Sequence, residues 1–205
     1  QNFNTDLIIV GGTFTGATGT VNIGRNLTIT SGAMNMGAQT INVGSDTTFS
    51  GGTLTSASGT KINITGNLFF SGGTADLTDS AVDIDGNFYW SGTYLAKSPT
   101  LFQLAGNWSR TGGDLTRVMS PDTVEFNGSA DQSYYDSQPG GIVVVFYNAT
   151  YSGHHTLHFY SDLCVYNMGT ITYSDGWLNM HGNNIRAYPG ATFTGAGVDN
   201  GNIIP

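Results

Sequence analysis

The chain has 205 residues, a net charge of −8 from six Lys plus Arg against fourteen Asp plus Glu, and only 10% charged residues. So few basic groups argue against nucleic acid and against an anionic membrane surface as partners, because both are bound through Lys and Arg. Thirty glycines would suit disorder, but 39% of the residues are apolar and they recur at regular places, which a disordered chain does not show.

In chain order, apolar residues fall in pairs of the form in-x-in, the period-2 mark of a strand with one buried face. The pattern renews about every 20 residues. One column reads Val21/Ile23, Ile41/Val43, Ile62/Ile64, Val82/Ile84, Phe102/Leu104 and Val124/Phe126. A second reads Leu7/Ile9, Leu27/Ile29, Thr47/Phe49, Leu68/Phe70, Phe88/Trp90 and Trp108. A third reads Met34/Met36, Leu54, Leu77, Tyr94 and Leu115. Gly, Ser, Asn and Asp, the residues of tight turns, separate them. Three strands per turn predict an all-β fold: a single-stranded right-handed parallel β-helix, a three-sided β-solenoid with about nine or ten turns. At about 4.8 Å per rung this is a rod about 45 Å long.

Residues 1–205 read as one solenoid domain. Residues 1–126 form regular rungs, and 127–205 form less regular ones with a protruding loop near 127–142. Phe126 to Phe146 is read as one 20-residue step. Ile171/Tyr173, Leu178/Met180, Ile185/Ala187, Phe193 and Val198 then match the second, third, first, second and third columns in turn. The corner before each second-column strand carries Asp6, Asn26, Asp46, Asn67, Asn87 and Asn107. A stacked ladder of amides and carboxylates is expected there, because Asn and Asp bond readily to nearby main chain.

Segments such as VNIGRNLTITSGAMNMGAQTINVG and SDLCVYNMGTITYSDGWLNMHGNNIRA resemble the repeats of bacterial cell-surface proteins with right-handed parallel β-helices, the haemagglutinin-like adhesins among them. The resemblance is one of repeat style over nearly the whole chain. It implies secretion, a cell-surface or extracellular location, and roles in adhesion or filaments. The chain begins at Gln1 and not at Met, which fits a mature secreted protein.

A parallel solenoid has two open edges that invite further strands. Phe3 aligns with Ile23, and Leu7/Ile9 form a second-column strand. Val198 aligns with the third column, and Ile203 and Ile204 fall near the start of a first-column strand. Phe3, Leu7, Ile9, Val198, Ile203 and Ile204 are therefore the predicted subunit interface of a head-to-tail homopolymer, since a heterologous contact that does not close makes a filament. The alternatives are a monomeric carbohydrate-binding adhesin module and a β-helix polysaccharide lyase.

The lyase reading rests on Asp76, Asp79, Asp83 and Asp85, with Asp83 and Asp85 flanking Ile84 on one outward strand face. Only Lys61 lies near enough to serve as a base, so no catalysis is expected. His154, His155 and His158 form a local cluster, with His181 further on; the clustered side chains are expected to diverge on extended chain, so neither metal nor cofactor is expected. Phe69 and Tyr89 are predicted to stack as an exposed outward pair. With Tyr134 and Tyr135 they are candidates for lateral or glycan contact. Asn63, Asn127 and Asn148 head sequons that could carry a glycan, whereas the sequons at Asn26 and Asn107 conflict with the ladder.

Overall fold

Alternation sets the strands. In Lys61–Ile64, Ile62 and Ile64 are buried while Lys61 and Asn63 face water. In Gly19–Ile23, Val21 and Ile23 are buried beside an exposed Asn22. The computed structural model describes residues 1–16, 18–97, 99–112, 123–137, 145–146, 148–152, 155–165, 170–173, 177–187, 192–194, 198–199 and 202–204. Its described residues contain strands, turns and no helix, and the strands stack in parallel as a β-solenoid.

The first sheet is ten strands deep, from Asn2–Phe3 through Gly19–Ile23, Gln39–Val43 and Lys61–Ile64 to Ala149–Tyr151, Thr170–Tyr173 and Thr192–Thr194. The second runs from Leu7–Ile9 and Leu27–Ile29 to Trp177–Asn179 and Val198–Asp199. On the third side, Thr13–Thr15 and Ala33–Met36 stack on the later halves of the long strands Thr47–Ser56 and Leu68–Asp76. Further along, this side is a four-stranded sheet of Val145–Phe146, Leu163–Val165, Asn184–Ala187 and Asn202–Ile204.

Register corrects the third column. Leu54 pairs with Ala75, and Ala75 with Leu95, in place of Leu77 and Tyr94. Leu77 is buried as well, but beyond the paired run, where its hydropathy disguises the corner as a strand. Leu115 lies outside the described residues.

The second half is corrected by a whole side. Phe126 pairs with Tyr151, a step of 25 residues, and Phe146 belongs to the third side. Ile171 and Phe193 therefore sit in the first sheet, Leu178 and Val198 in the second, and Ile185 and Ile203 on the third side. The long rung is an insertion that a fixed 20-residue count cannot follow. Within the expected loop at 127–142, Gln132–Asp136 is a strand paired with Trp108–Arg110. Residues 138–142 of that loop lie outside the described residues.

The core is continuous along the axis. Phe49, Phe70, Phe88, Phe102 and Trp108 meet edge-on or tilted, with centroids 4.7–5.8 Å apart in successive contacts. Trp108 then meets Tyr134, and Tyr134 meets Phe159. At the corner between the second and third sides the rungs nearly touch. Gly73 has φ +78°, and a Cβ there would lie 2.7 Å from the Gly52 carbonyl oxygen. Only glycine fits both demands.

Candidate functional site

The corner before the second sheet is stitched by side chains. The Asp6 carboxylate accepts from the backbone N–H and Nδ2 of Asn26, both at 3.0 Å. Asn26 Oδ1 accepts from Asp46 N at 3.2 Å. Asp46 accepts from Asn67 N and Nδ2 at 2.7 and 3.1 Å, and Asn67 from Asn87 N and Nδ2 at 2.8 and 3.0 Å. Asn87 accepts from Asn107 N at 2.8 Å, and Asn107 from Ser133 N at 2.7 Å. Each residue thus caps the next rung's turn. The Asn26 backbone N–H holds the Asp6 carboxyl below its ordinary pKa.

A second ladder was missed in the sequence. On the outer face of the first sheet, Nδ2 of Asn22 donates to Asn2, Asn42 to Asn22 and Asn63 to Asn42, at 2.7, 2.7 and 2.8 Å. Its signal in the sequence is the middle residue of three in-x-in pairs, Asn22, Asn42 and Asn63, about 20 residues apart. Of the sequon residues, Asn63 is thus engaged through the amide nitrogen a glycan would use. Asn127 keeps its Oδ1 buried without a partner, and Asn148 lies half-buried in the turn before Ala149.

In register after Asn63 comes Asp83, half-buried. Burial, then the charges of Asp85 and Glu125, push its carboxyl pKa up. Asp76 turns away to accept from Thr78, and Asp79 holds a turn at φ +50°. The four aspartates therefore do not share a site.

The outer face of the second sheet carries rings. Phe69 and Tyr89 stack with centroids 5.0 Å apart and planes 7° from parallel. Tyr135 is exposed on the same face, but Tyr134 is fully buried in register with Trp108 and Phe159. Tyr134 is therefore a core residue and cannot make a lateral or glycan contact; alternation within one strand sends only one of two neighbours outward. Further along, His158 Nδ1 and His181 Nε2 are 3.0 Å apart, and His181 stacks on Tyr160 at 4.5 Å. Asp131 lies 4.0 Å from His155 and 3.8 Å from His158, and the Thr156 N–H lowers its carboxyl pKa. His154 lies outside the described residues. No three His, Cys, Asp or Glu among the described residues form a group that could hold a metal ion.

Arg110 was also overlooked. It is fully buried, with Nη1 3.1 Å from Asp136 Oδ2 and Nε donating to the Gly112 carbonyl at 3.1 Å. Its guanidinium lies 5.1 Å from the centre of the Trp90 ring. Burial pushes its pKa down, and Asp136 opposes the shift.

At the solenoid's first rung, Phe3, Leu7 and Phe14 are only partly buried against the core, with Phe3 and Phe14 edge-on at 6.0 Å. Ile9 is buried, while Ile8 and Val10 are exposed. At the other end Val198 lies on the second side and Ile203 and Ile204 on the third, one side earlier than the sequence count placed them. No protein-family model, curated protein or solved structure gives a significant match to this chain.

Proposed function

We propose that this protein is a structural subunit of an extracellular or cell-surface filament in the style of adhesin-like repeat proteins, built by stacking solenoid ends head to tail. The observation that carries this reading is the edge of the first rung. Three core-type side chains, Phe3, Leu7 and Phe14, are only partly buried there, and among the described residues the strands that carry them each pair with a neighbour on one side alone. What completes such an edge is another parallel turn in the same three-sided outline. The rung of Thr192–Thr194, Val198–Asp199 and Asn202–Ile204 offers one strand to each side in the matching order. A second copy docked there repeats, between molecules, the bonds made between every pair of rungs within one molecule. Low charge and abundant Thr, Asn and Gly agree with an extracellular setting.

Negative-stain electron microscopy with sedimentation velocity tests the reading. Thin fibres with a longitudinal repeat near 48 Å, ten rungs at about 4.8 Å each, are expected. Monodisperse short rods at all concentrations overturn it.

A further inference from the structure

The outer row of the second sheet places Phe69, Tyr89, Ser109 and Tyr135 in successive rungs. Phe69 covers one face of Tyr89. The near-parallel stack at roughly the rung spacing turns the other face of Tyr89 along the axis, toward the rung of Ser109. Tyr135 stands one rung beyond. A small residue thus interrupts a row of rings and leaves a slot with Ser109 as its floor. Tyr89 and Tyr135 are 39% and 41% exposed, so both walls are reachable from solvent.

The slot has a definite width. Two rung spacings separate the Tyr89 and Tyr135 positions by about 9.6 Å, and rings standing parallel there would leave about 6 Å between their faces. A flat aromatic ring is too thin to touch both walls. A pyranose chair, with C–H bonds directed from both faces, fills the gap.

Polar chemistry lies beside it. Asn107, in the corner two residues before Ser109, is exposed. In Asn26, Asn67 and Asn87 the Nδ2 donates to the preceding rung of the ladder. Asn107 uses its backbone N–H toward Asn87 and its Oδ1 toward Ser133, and its Nδ2 has no acceptor among the described residues. Ser109 adds a hydroxyl.

We propose that Tyr89, Ser109 and Tyr135 form a clamp for one pyranose unit of a neutral glycan, with Asn107 Nδ2 and the Ser109 hydroxyl donating to its hydroxyls. The net charge of −8 disfavours acidic glycans. The clamp lies on the flank of the rod, away from both end rungs, so it stands or falls independently of stacking.

The test uses the full chain with a panel of neutral hexasaccharides: β-1,4-glucan, β-1,4-N-acetylglucosamine, α-mannan and β-galactan. Binding is read by saturation-transfer NMR and calorimetry. At least one sugar binds, and Tyr89→Ala or Tyr135→Ala weakens it about tenfold. Ser109→Tyr abolishes binding because it fills the slot. That variant also completes the aromatic row, so its melting temperature stays at or above the parent's, which separates loss of the site from loss of the fold. Binding that survives Ser109→Tyr overturns the clamp. So does silence across the panel, or a Ser109→Tyr effect confined to lateral association of copies.

Discussion

Asp83 shows how one residue can interrupt a structural series. It follows Asn2, Asn22, Asn42 and Asn63 in register, yet a carboxylate has no N–H to donate to Asn63 Oδ1. It also sits half-buried near Asp85 and Glu125, which raises its pKa above 3.8. A carboxyl whose pKa is higher folded than unfolded costs stability while ionised. That cost is present in full above the folded pKa and disappears as pH falls through it toward 3.8. Asp83→Asn removes the charge and extends the ladder by one bond. It is expected to stabilise the protein by roughly 0.5–1 kcal/mol at neutral pH, a modest figure for a partly exposed group. The gain over the parent should shrink as pH is lowered through the acid range. Thermal melts of both proteins at stepped pH check this, and a gain that grows on acidification would contradict the assignment. Thr47 makes a related point about legibility. The pattern put it inward, and it is buried with an unpartnered hydroxyl beside a cavity of about 20 Å³ lined by Leu27, Phe49 and Leu68. Its position was readable, but the void was not, because packing volume depends on neighbours 20 residues away.

At the scale of strands, period-2 alternation was enough to find Val21/Ile23, Ile62/Ile64 and Phe88/Trp90, since both inward residues are large and apolar. It failed where the inward residue is polar. Arg110 occupies the position after Phe70 and Trp90 in register, and Gln132 precedes Tyr134 on the inner face. A charge in that place reads as solvent-facing until its partner, 26 residues on, is brought alongside. The pair is costly to bury and worse to break. Arg110→Met leaves Asp136 in the core without its cation and should destabilise the fold by about 3–5 kcal/mol. Adding Asp136→Leu to that variant should recover much of the loss, because two apolar side chains then replace two buried charges. Urea denaturation of the parent, single and double variants measures the difference. A double variant no more stable than Arg110→Met would show that the other contacts of the two residues outweigh their mutual attraction.

For the whole molecule, a 20-residue count carried the phase of the first two columns correctly until the long rung after Phe126. Beyond it every strand shifted by one side, which moved Val198, Ile203 and Ile204. The open edge of the first rung is unaffected by that shift, and its backbone supplies a sharp test of stacking. Leu7 N donates to Asn26 O at 2.9 Å, and Ile9 O accepts from Thr30 N at 3.0 Å. In a parallel strand the intervening residue turns its N–H and C=O the other way. The N–H of Ile8 therefore points away from the second rung, the direction in which the proposed stacking would bring another copy, and its side chain lies 59% exposed on the outer face. Ile8→Pro deletes that donor while sparing every bond to the second rung, and proline is tolerated at a strand edge. Circular dichroism and the melting temperature of the dilute protein should stay close to the parent's. Fibre formation should fall steeply, because each junction loses a ladder bond and meets a pyrrolidine ring where a strand must pair. Fibres that form as readily with Ile8→Pro as with the parent would place the junction elsewhere, and head-to-tail strand pairing at this edge would be wrong.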